Sequence, residues 1–435
     1  MRGKLARTLF TFCLAFATGG FLCLLYLSSS EKSRLPAAPD KGLRHKCWSM
    51  FNIGVQKYPE RKGVGNRNFG NGLAPGTSYY NELSSSLPTL LLSLPNGTLD
   101  LLPKTRLEIT DGRLSYLDCG IRLYNAKEVM SCSALRRKGK DGALWVAFVG
   151  DSKMRDKFKG FLNMTPNFKW RIYNTTSKEV TSTTWERFAS SHHPKFQHSL
   201  SVKGTLDSRV DLVWANHGLD IYKIAEISQQ ELQHWAYKAS RVPDVIVIGF
   251  GTWSITGGFA SDTESLNPFT DCADEWRKVR KVLDVLSQRT TVIASAQSRT
   301  REFTAIDYAV NGRPDSSKED EAPRNETADD KLYRINYYTR HLSNGAEWID
   351  EAMHMALRNS NIIIWDSTIP FNLLNIKECQ ALYDAGLKGH PSYSEHSCHD
   401  DIHIDSFTTK DETTMILNLL CNHHMENKDS LYCCP

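Results

Sequence analysis

The sequence predicts an α/β fold, a parallel sheet flanked by helices, behind a single N-terminal transmembrane helix. Three observations lead to this prediction. Short apolar runs suit buried strands. Segments of helical periodicity separate these runs, and strands that alternate with helices are typical of a parallel sheet covered by helices. One much longer apolar run lies near the N-terminus, and its length suits a membrane-spanning helix.

The strands and helices are expected to alternate from residue 144 onward. The predicted strands cover residues 144–149, 210–214, 245–250, 291–296 and 362–365. The predicted helices cover residues 153–162, 228–240, 272–288, 345–358 and 412–420. Residues 46–140 hold Gly and Pro between short apolar runs and are expected to be irregular. The charged segment 299–331 is expected to be a mobile insertion.

The transmembrane prediction rests on residues 8–27, an apolar run interrupted only by Thr and Gly. A helix needs about 20 such residues to cross the hydrocarbon core. Arg2, Lys4 and Arg7 precede the run, so the tail of residues 1–7 should stay cytosolic and the rest of the chain should be lumenal. A cleaved signal peptide is the alternative, although its apolar region is usually about 7–15 residues long.

The rest of the chain divides into a short stem and one large domain. Residues 28–45 are rich in Ser, Lys, Pro and Ala, a composition typical of a linker. Residues 46–435 are expected to form one lumenal domain. Four N-x-S/T sequons give weak further support for the lumen and are expected glycosylation sites, at Asn96, Asn163, Asn174 and Asn325.

Composition and charge exclude several classes of protein. The chain has 435 residues, of which 40% are hydrophobic and 23% charged. These values exclude a wholly disordered or collagen-like chain, and a single long apolar run excludes a multi-span transporter. The formal charge is +4, and three of the basic residues belong to the predicted cytosolic tail. No net basic field therefore remains to attract nucleic acid.

Cysteine usage agrees with an oxidising compartment. Nine cysteines lie outside the predicted transmembrane helix, and most of them should pair. An odd number leaves at least one that is free or bonded between chains. Cys398 is expected to be oxidised, because a bridge would restrict the loop that carries it. Its expected partner is Cys272, Cys379 or Cys421.

A serine nucleophile motif follows the first of these predicted strands. Residues 144–149 run into Gly150, Asp151 and Ser152. Gly allows a tight turn, and Ser152 would then lie at a helix N-terminus, where main-chain N–H groups can stabilise an oxyanion. The alternative is that Asp151 or Ser152 serves only as the N-cap of the helix.

A serine nucleophile needs a base, which is usually a His oriented by a carboxylate. Asp400 and His403 are three residues apart, so one loop can present both side chains to Ser152. A zinc site of His396, His399 and His403 is a weaker alternative, because the neighbouring Ser, Asp and Pro residues disfavour the helix that this spacing requires. No metal is expected.

The Gly-Asp-Ser of residues 150–152, together with Asp400 and His403, resembles the SGNH/GDSL hydrolase superfamily. More narrowly it is similar to the PC-esterase branch, which includes plant trichome-birefringence-like polysaccharide O-acetyltransferases and the lumenal domain of animal sialate O-acetyltransferases. Residues 150–155 match the Gly-Asp-Ser-x-x-Arg signature of this branch, and the resemblance covers about residues 115–435. Further similar blocks lie at residues 243–249, 252–255, 419–422 and 433–435.

The resemblance implies an SGNH-hydrolase-like sheet and a role for each residue of the motifs. Ser152 would accept the acyl group, His403 would act as the base, and Asp400 would orient the base. Arg155 matches the Arg of the family signature and is expected to position the acid or the turn. Asp151 is expected to support the same turn.

Further expectations concern residues around the motifs. The superfamily's oxyanion Asn block is not evident, so the main-chain N–H of Gly251 is the expected oxyanion donor, with Asn216 and Gly218 as weaker candidates. Asn216 is also expected to bind the substrate. Trp253, which lies past a strand end, is expected to stack on a sugar. By resemblance, Cys119 and Cys132 are expected to be paired cysteines.

Together these features predict a single-pass type II membrane protein of the Golgi that transfers an acetyl group to a glycan hydroxyl, on sialic acid or another sugar. Acetyl-CoA is the expected donor, and no bound cofactor is expected. The animal enzymes of this branch carry a many-span domain that is not expected here, so a transporter of the acetyl donor is a candidate partner. A carbohydrate O-acetyl esterase and a catalytically silent glycan-binding protein on the same fold are the alternatives.

Overall fold

The computed structural model describes most of the chain between Cys47 and Cys434. The described ranges are residues 47–54, 77–94, 99–139, 141–176, 183–191, 196–215, 230–253, 268–311, 327–328, 331–332, 335, 345–425 and 431–434. The predicted cytosolic tail, transmembrane helix and stem lie outside these ranges. Within them, no helix has both the length and the apolar character that a membrane crossing requires.

The strands form a small antiparallel pair and a seven-stranded sheet. Strands β1 (Leu91–Ser93) and β2 (Leu99–Leu101) pair with each other. In chain order the strands of the large sheet are β3 (Trp145–Gly150), β4 (Arg171–Thr175), β5 (Leu200–Lys203), β6 (Arg209–Trp214), β7 (Val245–Gly249), β8 (Thr291–Ser295) and β9 (Ile363–Trp365). Their spatial order is β4-β5-β6-β3-β7-β8-β9. Strands β6, β3, β7, β8 and β9 are parallel, whereas β4 and β5 pair antiparallel at the β6 side.

Helices cover both faces of the sheet. Helices α1 to α12 are, in chain order, Thr77–Ser85, Arg106–Ile109, Ala126–Lys138, Ser152–Met164, Trp185–Ser191, Gln230–Tyr237, Pro268–Leu286, Glu302–Asn311, Gly345–Leu357, Ile369–Asp384, Pro391–Glu395 and Ser406–Cys421. Helices α4 and α12 pack against each other on one face. On the other face α7 packs against α6 and α9.

The burial of β3 on both faces explains why residues 145–149 form a continuous apolar run. Successive side chains of a strand point to opposite faces. Val146 and Phe148 join the core beneath α4 and α12, whereas Ala147 and Val149 join the core beneath α6 and α7. A strand covered on both faces needs an apolar residue at every position. The structure therefore confirms an α/β fold with a mostly parallel sheet flanked by helices.

The fold departs from the prediction at the sheet edge and in two segments. Strands β4 and β5 were not predicted, because only one face of each is buried and the pattern covers few residues. Residues 46–140 are less irregular than expected, since they contain α1, α2 and α3. The prediction of a mobile insertion at residues 299–331 is wrong for residues 299–311. Arg299 and Arg301 are buried there and lead into α8, whereas residues 312–326 lie outside the described residues.

Four disulfides are present among the described residues, and three of them join the N-terminal part of the chain to its end. Cys379 bonds to Cys398, as one of the predicted alternatives. The other three are Cys47–Cys434, Cys119–Cys433 and Cys132–Cys421. Cys272 is buried and forms no disulfide. The four bonds fit a domain that folds in an oxidising compartment.

The predicted pairing of Cys119 with Cys132 is wrong, because each lies against a different C-terminal segment. The Gly120 N–H donates to the Leu431 carbonyl (2.7 Å), and the Cys433 N–H donates to the Gly120 carbonyl (2.9 Å). This pairing brings Cys119 beside Cys433. Cys132 lies within α3, which packs against α12, and Cys421 is the last residue of α12.

Candidate active site

The turn after β3 presents Ser152 at the start of α4. Asp151 is the N-cap of this helix, and its carboxylate accepts a hydrogen bond from the Lys153 N–H (3.0 Å). A carboxylate is favourable at this helix end, where main-chain N–H groups are unpaired. Because Asp151 caps the helix, the hydroxyl of Ser152 remains available for another partner. The N-cap alternative thus applies to Asp151 and not to Ser152.

Gly150 makes this turn sterically accessible. Its φ is +143°, a region that residues with a side chain rarely adopt. Gly150 pairs with Gly249 of β7, and a Cβ on Gly150 would lie 1.9 Å from the Gly249 carbonyl oxygen. Glycine at this position therefore allows β3 and β7 to stay paired up to the residue before Asp151.

The two other predicted residues lie on the loop of residues 396–405, between α11 and α12. We call this segment the Asp–His loop. His403 Nε2 lies 2.7 Å from Ser152 Oγ, and His403 Nδ1 lies 2.9 Å from each oxygen of the Asp400 carboxylate. The structure thus brings Ser152, His403 and Asp400 into one hydrogen-bonded chain, although Ser152 and His403 are 251 positions apart.

Main-chain groups hold Asp400 in this orientation. Its Oδ1 accepts hydrogen bonds from the N–H groups of Ile402 (3.0 Å) and His403 (2.9 Å). The carboxylate therefore binds both the ring and the backbone of His403. These contacts hold the imidazole in the orientation that directs it towards Ser152.

The two titratable groups stabilise each other's charged forms. Burial by itself raises the pKa of Asp400, but hydrogen bonds from His403 and Ile402 outweigh it and hold that pKa well below its usual range. Burial by itself lowers the pKa of His403, but the hydrogen bond and charge of Asp400 outweigh it and raise that pKa. An imidazole with a raised pKa next to a serine hydroxyl can accept the serine proton.

A cleft of about 890 Å³ opens beside His403 and Asp400. One wall is the face of α4 that carries Arg155, Lys159 and Asn163, and further lining residues include Tyr124, Asn125, Ser397, His399, Thr409 and Lys410. Its volume lies within the range of small-molecule sites. A molecule in this cleft would therefore lie next to the base.

Arg155 contacts two segments outside α4. Its Nη1 donates to the Phe196 carbonyl (3.2 Å), and its Nε lies 3.4 Å from an oxygen of Asp156. The guanidinium also lies 5.7 Å from the Trp214 ring centroid. Arg155 thus connects α4 to the end of β6 and to residue 196, and it lines the cleft. Its expected role in positioning the acid or the turn remains a prediction.

Gly251 and Trp253 lie near the same edge of the sheet as Ser152. Gly249 pairs with Gly150, and Gly251 and Ser152 each follow two residues later, beyond neighbouring parallel strands. Gly251 is buried and Trp253 is half-buried, and neither is among the described residues that line the cleft beside His403. Their predicted roles remain predictions, and Asn216 and Gly218 lie outside the described residues.

A buried polar network that the sequence did not predict supports the turn. Lys153 Nζ donates to Gln297 Oε1 (2.9 Å), and the Thr252 hydroxyl donates to the same oxygen (2.8 Å). Gln297 Nε2 donates to the Phe250 carbonyl (3.1 Å). Burial lowers the pKa of Lys153 to about 8. Gln297 thereby links the first turn of α4 to the segment after β7.

The alternative zinc site and the glycosylation sequons are the remaining predicted sites. His396 is buried, its Nδ1 lies 3.2 Å from Asn375 Nδ2 and 3.6 Å from Glu378 Oε2, and burial lowers its pKa to about 4. No group of three potential metal ligands occurs among the described residues. The sequon residues Asn163 and Asn174 are exposed, whereas Asn96 and Asn325 lie outside the described residues.

Comparison with known proteins gives no family for this chain. No protein-family model matches the sequence, and no curated protein is similar to it.

Proposed function

We propose that this protein is a serine-dependent O-acetyltransferase that transfers an acetyl group to a glycan hydroxyl through an acyl-enzyme. The observation that carries the proposal is the hydrogen-bonded chain of Ser152, His403 and Asp400 at the carboxyl edge of the parallel sheet. Ligands of such sheets bind at this edge. The same chain of contacts favours chemistry over a catalytically silent glycan-binding role, because a binding site requires no nucleophile oriented towards a base.

In the first half-reaction Ser152 would attack the acetyl carbonyl of the donor, with acetyl-CoA as the proposed donor. His403 Nε2 would take the serine proton as the Oγ–carbon bond forms. The tetrahedral intermediate would then collapse, its carbon–sulfur bond would break, and His403 would return the proton to the leaving thiolate. The unpaired N–H groups at the start of α4 and the N–H of Gly251 are the proposed donors to the oxyanion.

In the second half-reaction a sugar hydroxyl would attack the acetyl-serine. His403 would take the hydroxyl proton and pass it to the Ser152 oxygen as that oxygen leaves. The cleft beside His403 is the proposed acceptor site, since a hydroxyl bound there would lie next to the base. Asn125 on its wall is exposed; its Oδ1 caps α3, and its amide N–H groups can donate to sugar hydroxyls.

We propose that the enzyme acts in the Golgi lumen, held by the apolar segment of residues 8–27. Three long-range disulfides support an oxidising compartment. The positive residues before the apolar segment support an orientation with the catalytic domain on the lumenal side. A separate transporter that supplies the acetyl donor is part of the same proposal.

Acetyl transfer by the purified full-length protein in detergent tests the proposal. The protein is incubated with acetyl-CoA and a panel of sialylated, neutral and uronic glycans, and mass spectrometry detects glycans that gain one acetyl group. We expect an acetylated product with the wild type and none with Ser152→Ala. Release of acetyl from pre-acetylated glycans, with no transfer to any acceptor, would show an esterase instead. If neither transfer nor release occurs and a fluorophosphonate fails to label Ser152, the serine mechanism is wrong.

The pH dependence of Ser152 reactivity provides a further prediction. His403 accepts a proton only when it is neutral, so reactivity is lost as the pH falls through its pKa. Because Asp400 raises that pKa, we expect the acidic limb of fluorophosphonate labelling to lie above the ordinary histidine value of about 6.5. Asp400→Asn should move this limb to lower pH and should slow labelling on the plateau. An unmoved limb in Asp400→Asn would mean that Asp400 does not set the basicity of His403.

A further inference from the structure

The Asp–His loop is bound along its backbone by one helix and the residue before it. Arg301 immediately precedes α8, the helix of residues 302–311. The Thr304 hydroxyl donates to the Cys398 carbonyl (3.1 Å), and the Tyr308 hydroxyl donates to the His399 carbonyl. The main-chain N–H of Arg301 donates to the Asp401 carbonyl (2.8 Å). The loop that carries the acid and the base thus depends on α8 for its path.

The side chain of Arg301 binds the two most important residues of this loop. Its Nη1 donates to the Asp400 carbonyl (2.5 Å) and to the His403 carbonyl (2.7 Å). Its Nη2 donates to Asn375 Oδ1 on α10 and lies 3.5 Å from the His396 carbonyl. One nitrogen therefore sets the separation between the main chains of Asp400 and His403, and the other anchors the guanidinium to a neighbouring helix.

The Arg301 side chain is restricted by its burial and by its geometry. It is completely buried. Its planar guanidinium holds its donors in a fixed geometry, which suits it to bind several carbonyl oxygens at once. Burial lowers the pKa of Arg301, and the nearby carboxylates of Asp400, Asp405 and Asp401 offset part of this effect.

We propose that Arg301 is a positioning residue, which holds Asp400 and His403 in the arrangement that directs His403 towards Ser152. The inference rests on the proposed function of these three residues. Arg301 donates to carbonyl oxygens of the loop and not to the reacting atoms, so it acts through the acid and the base. A displacement of about 1 Å at a site of this kind can cost about 100-fold in rate.

The test compares Arg301→Lys with a matched variant, Arg136→Lys. Arg136 is also buried, and its Nη1 donates to the Leu420 carbonyl (3.0 Å), but it binds no residue of the Asp–His loop. Both variants keep the positive charge. For each one, the rate constant for labelling of Ser152 by a fluorophosphonate is measured across pH, and the melting temperature of the same sample is recorded.

We expect Arg301→Lys to slow labelling about 10- to 100-fold and to move the acidic limb to lower pH. Arg301→Lys leaves unchanged the charged groups that face His403, namely Asp400, Asp156, Asp151 and Lys153. The limb should move because the contact between His403 and Asp400, which raises the pKa of His403, loosens. Arg136→Lys should lower the melting temperature by a similar amount and leave both the plateau rate and the limb within about twofold of the wild type.

A second variant covers the case in which Arg301→Lys does not fold. Tyr308→Phe removes the hydroxyl that donates to the His399 carbonyl, and it should slow labelling by a smaller factor in the same direction. If Ser152 is labelled in the wild type and a folded Arg301→Lys reacts as fast with an unmoved limb, the positioning role is wrong. If the wild type is not labelled at all, the proposed function fails instead.

Discussion

Ser152→Ala should remove nearly all acyl transfer, a loss of at least about 1,000-fold and up to about a million-fold. The nucleophile is lost entirely, because the Ser152 hydroxyl is the group bonded to His403 Nε2 at 2.7 Å. His403→Ala should cost about as much, since the hydroxyl then has no base. Because the two residues act as a unit, the double variant should be no slower than either single variant.

A matched control distinguishes this loss from damage to the helix start. Ser406 also follows an aspartate N-cap, Asp405, as the first residue of a helix. It lines the cleft, but its hydroxyl is not the one bonded to His403. Ser406→Ala should therefore leave fluorophosphonate labelling of Ser152 within about threefold of the wild type. Acyl transfer is measured as acetyl gained by a glycan acceptor. Retention of more than a small fraction of transfer by Ser152→Ala would refute the mechanism.

Gly150→Ala should destabilise the fold by at least about 3 kcal/mol and lower the yield of soluble protein sharply. The added methyl group would lie 1.9 Å from the Gly249 carbonyl oxygen and 2.8 Å from Met154 Cγ. The side chain of Met154 can move, but the carbonyl belongs to the paired strand β7. Separating β3 from β7 at this point would displace Ser152, so activity should fall together with stability.

Gly386→Ala separates the steric clash from the cost of an unusual φ. Gly386 also has a positive φ, +73°, but a Cβ there would meet no atom within 4 Å. This variant should lose only about 1–2 kcal/mol, the cost of a side chain in the left-handed region. Both free energies of unfolding come from urea titrations. Equal stability of the two variants would show that β3 and β7 can separate without cost.

The sequence predicted the parallel part of the sheet and the contact of Ser152, His403 and Asp400, which we call the triad, because both have a local signature. A strand buried on both faces is apolar throughout, as β3 and β7 are. The triad needs a serine after such a strand and an Asp-x-x-His pair on one loop. Ser152, Asp400 and His403 satisfy these requirements without any knowledge of long-range contacts.

The supports of the site could not be predicted in the same way. Arg301 and Gln297 act through contacts with residues far along the chain, and each lies in a polar segment that resembles a solvated loop. Charged residues are usually exposed. Arg301 can be buried because backbone carbonyl oxygens accept hydrogen bonds from its guanidinium. The role of Arg155 was predicted from its place in a motif. A motif does not give the direction of the side chain, which depends on the position of residue 155 on α4.

The disulfide pattern has a consequence for the order of events during synthesis. Cys421, Cys433 and Cys434 all lie within the last 15 residues of the chain. Cys47 precedes its partner by 387 positions, so at about 5–20 residues per second its thiol waits roughly 20–80 s for that partner to be made. Three native pairs can therefore close only after residues 421–434 have been synthesised. Any bond that forms meanwhile between Cys119 and Cys132 has to be exchanged by thiol–disulfide chemistry before Cys433 and Cys421 can pair with them.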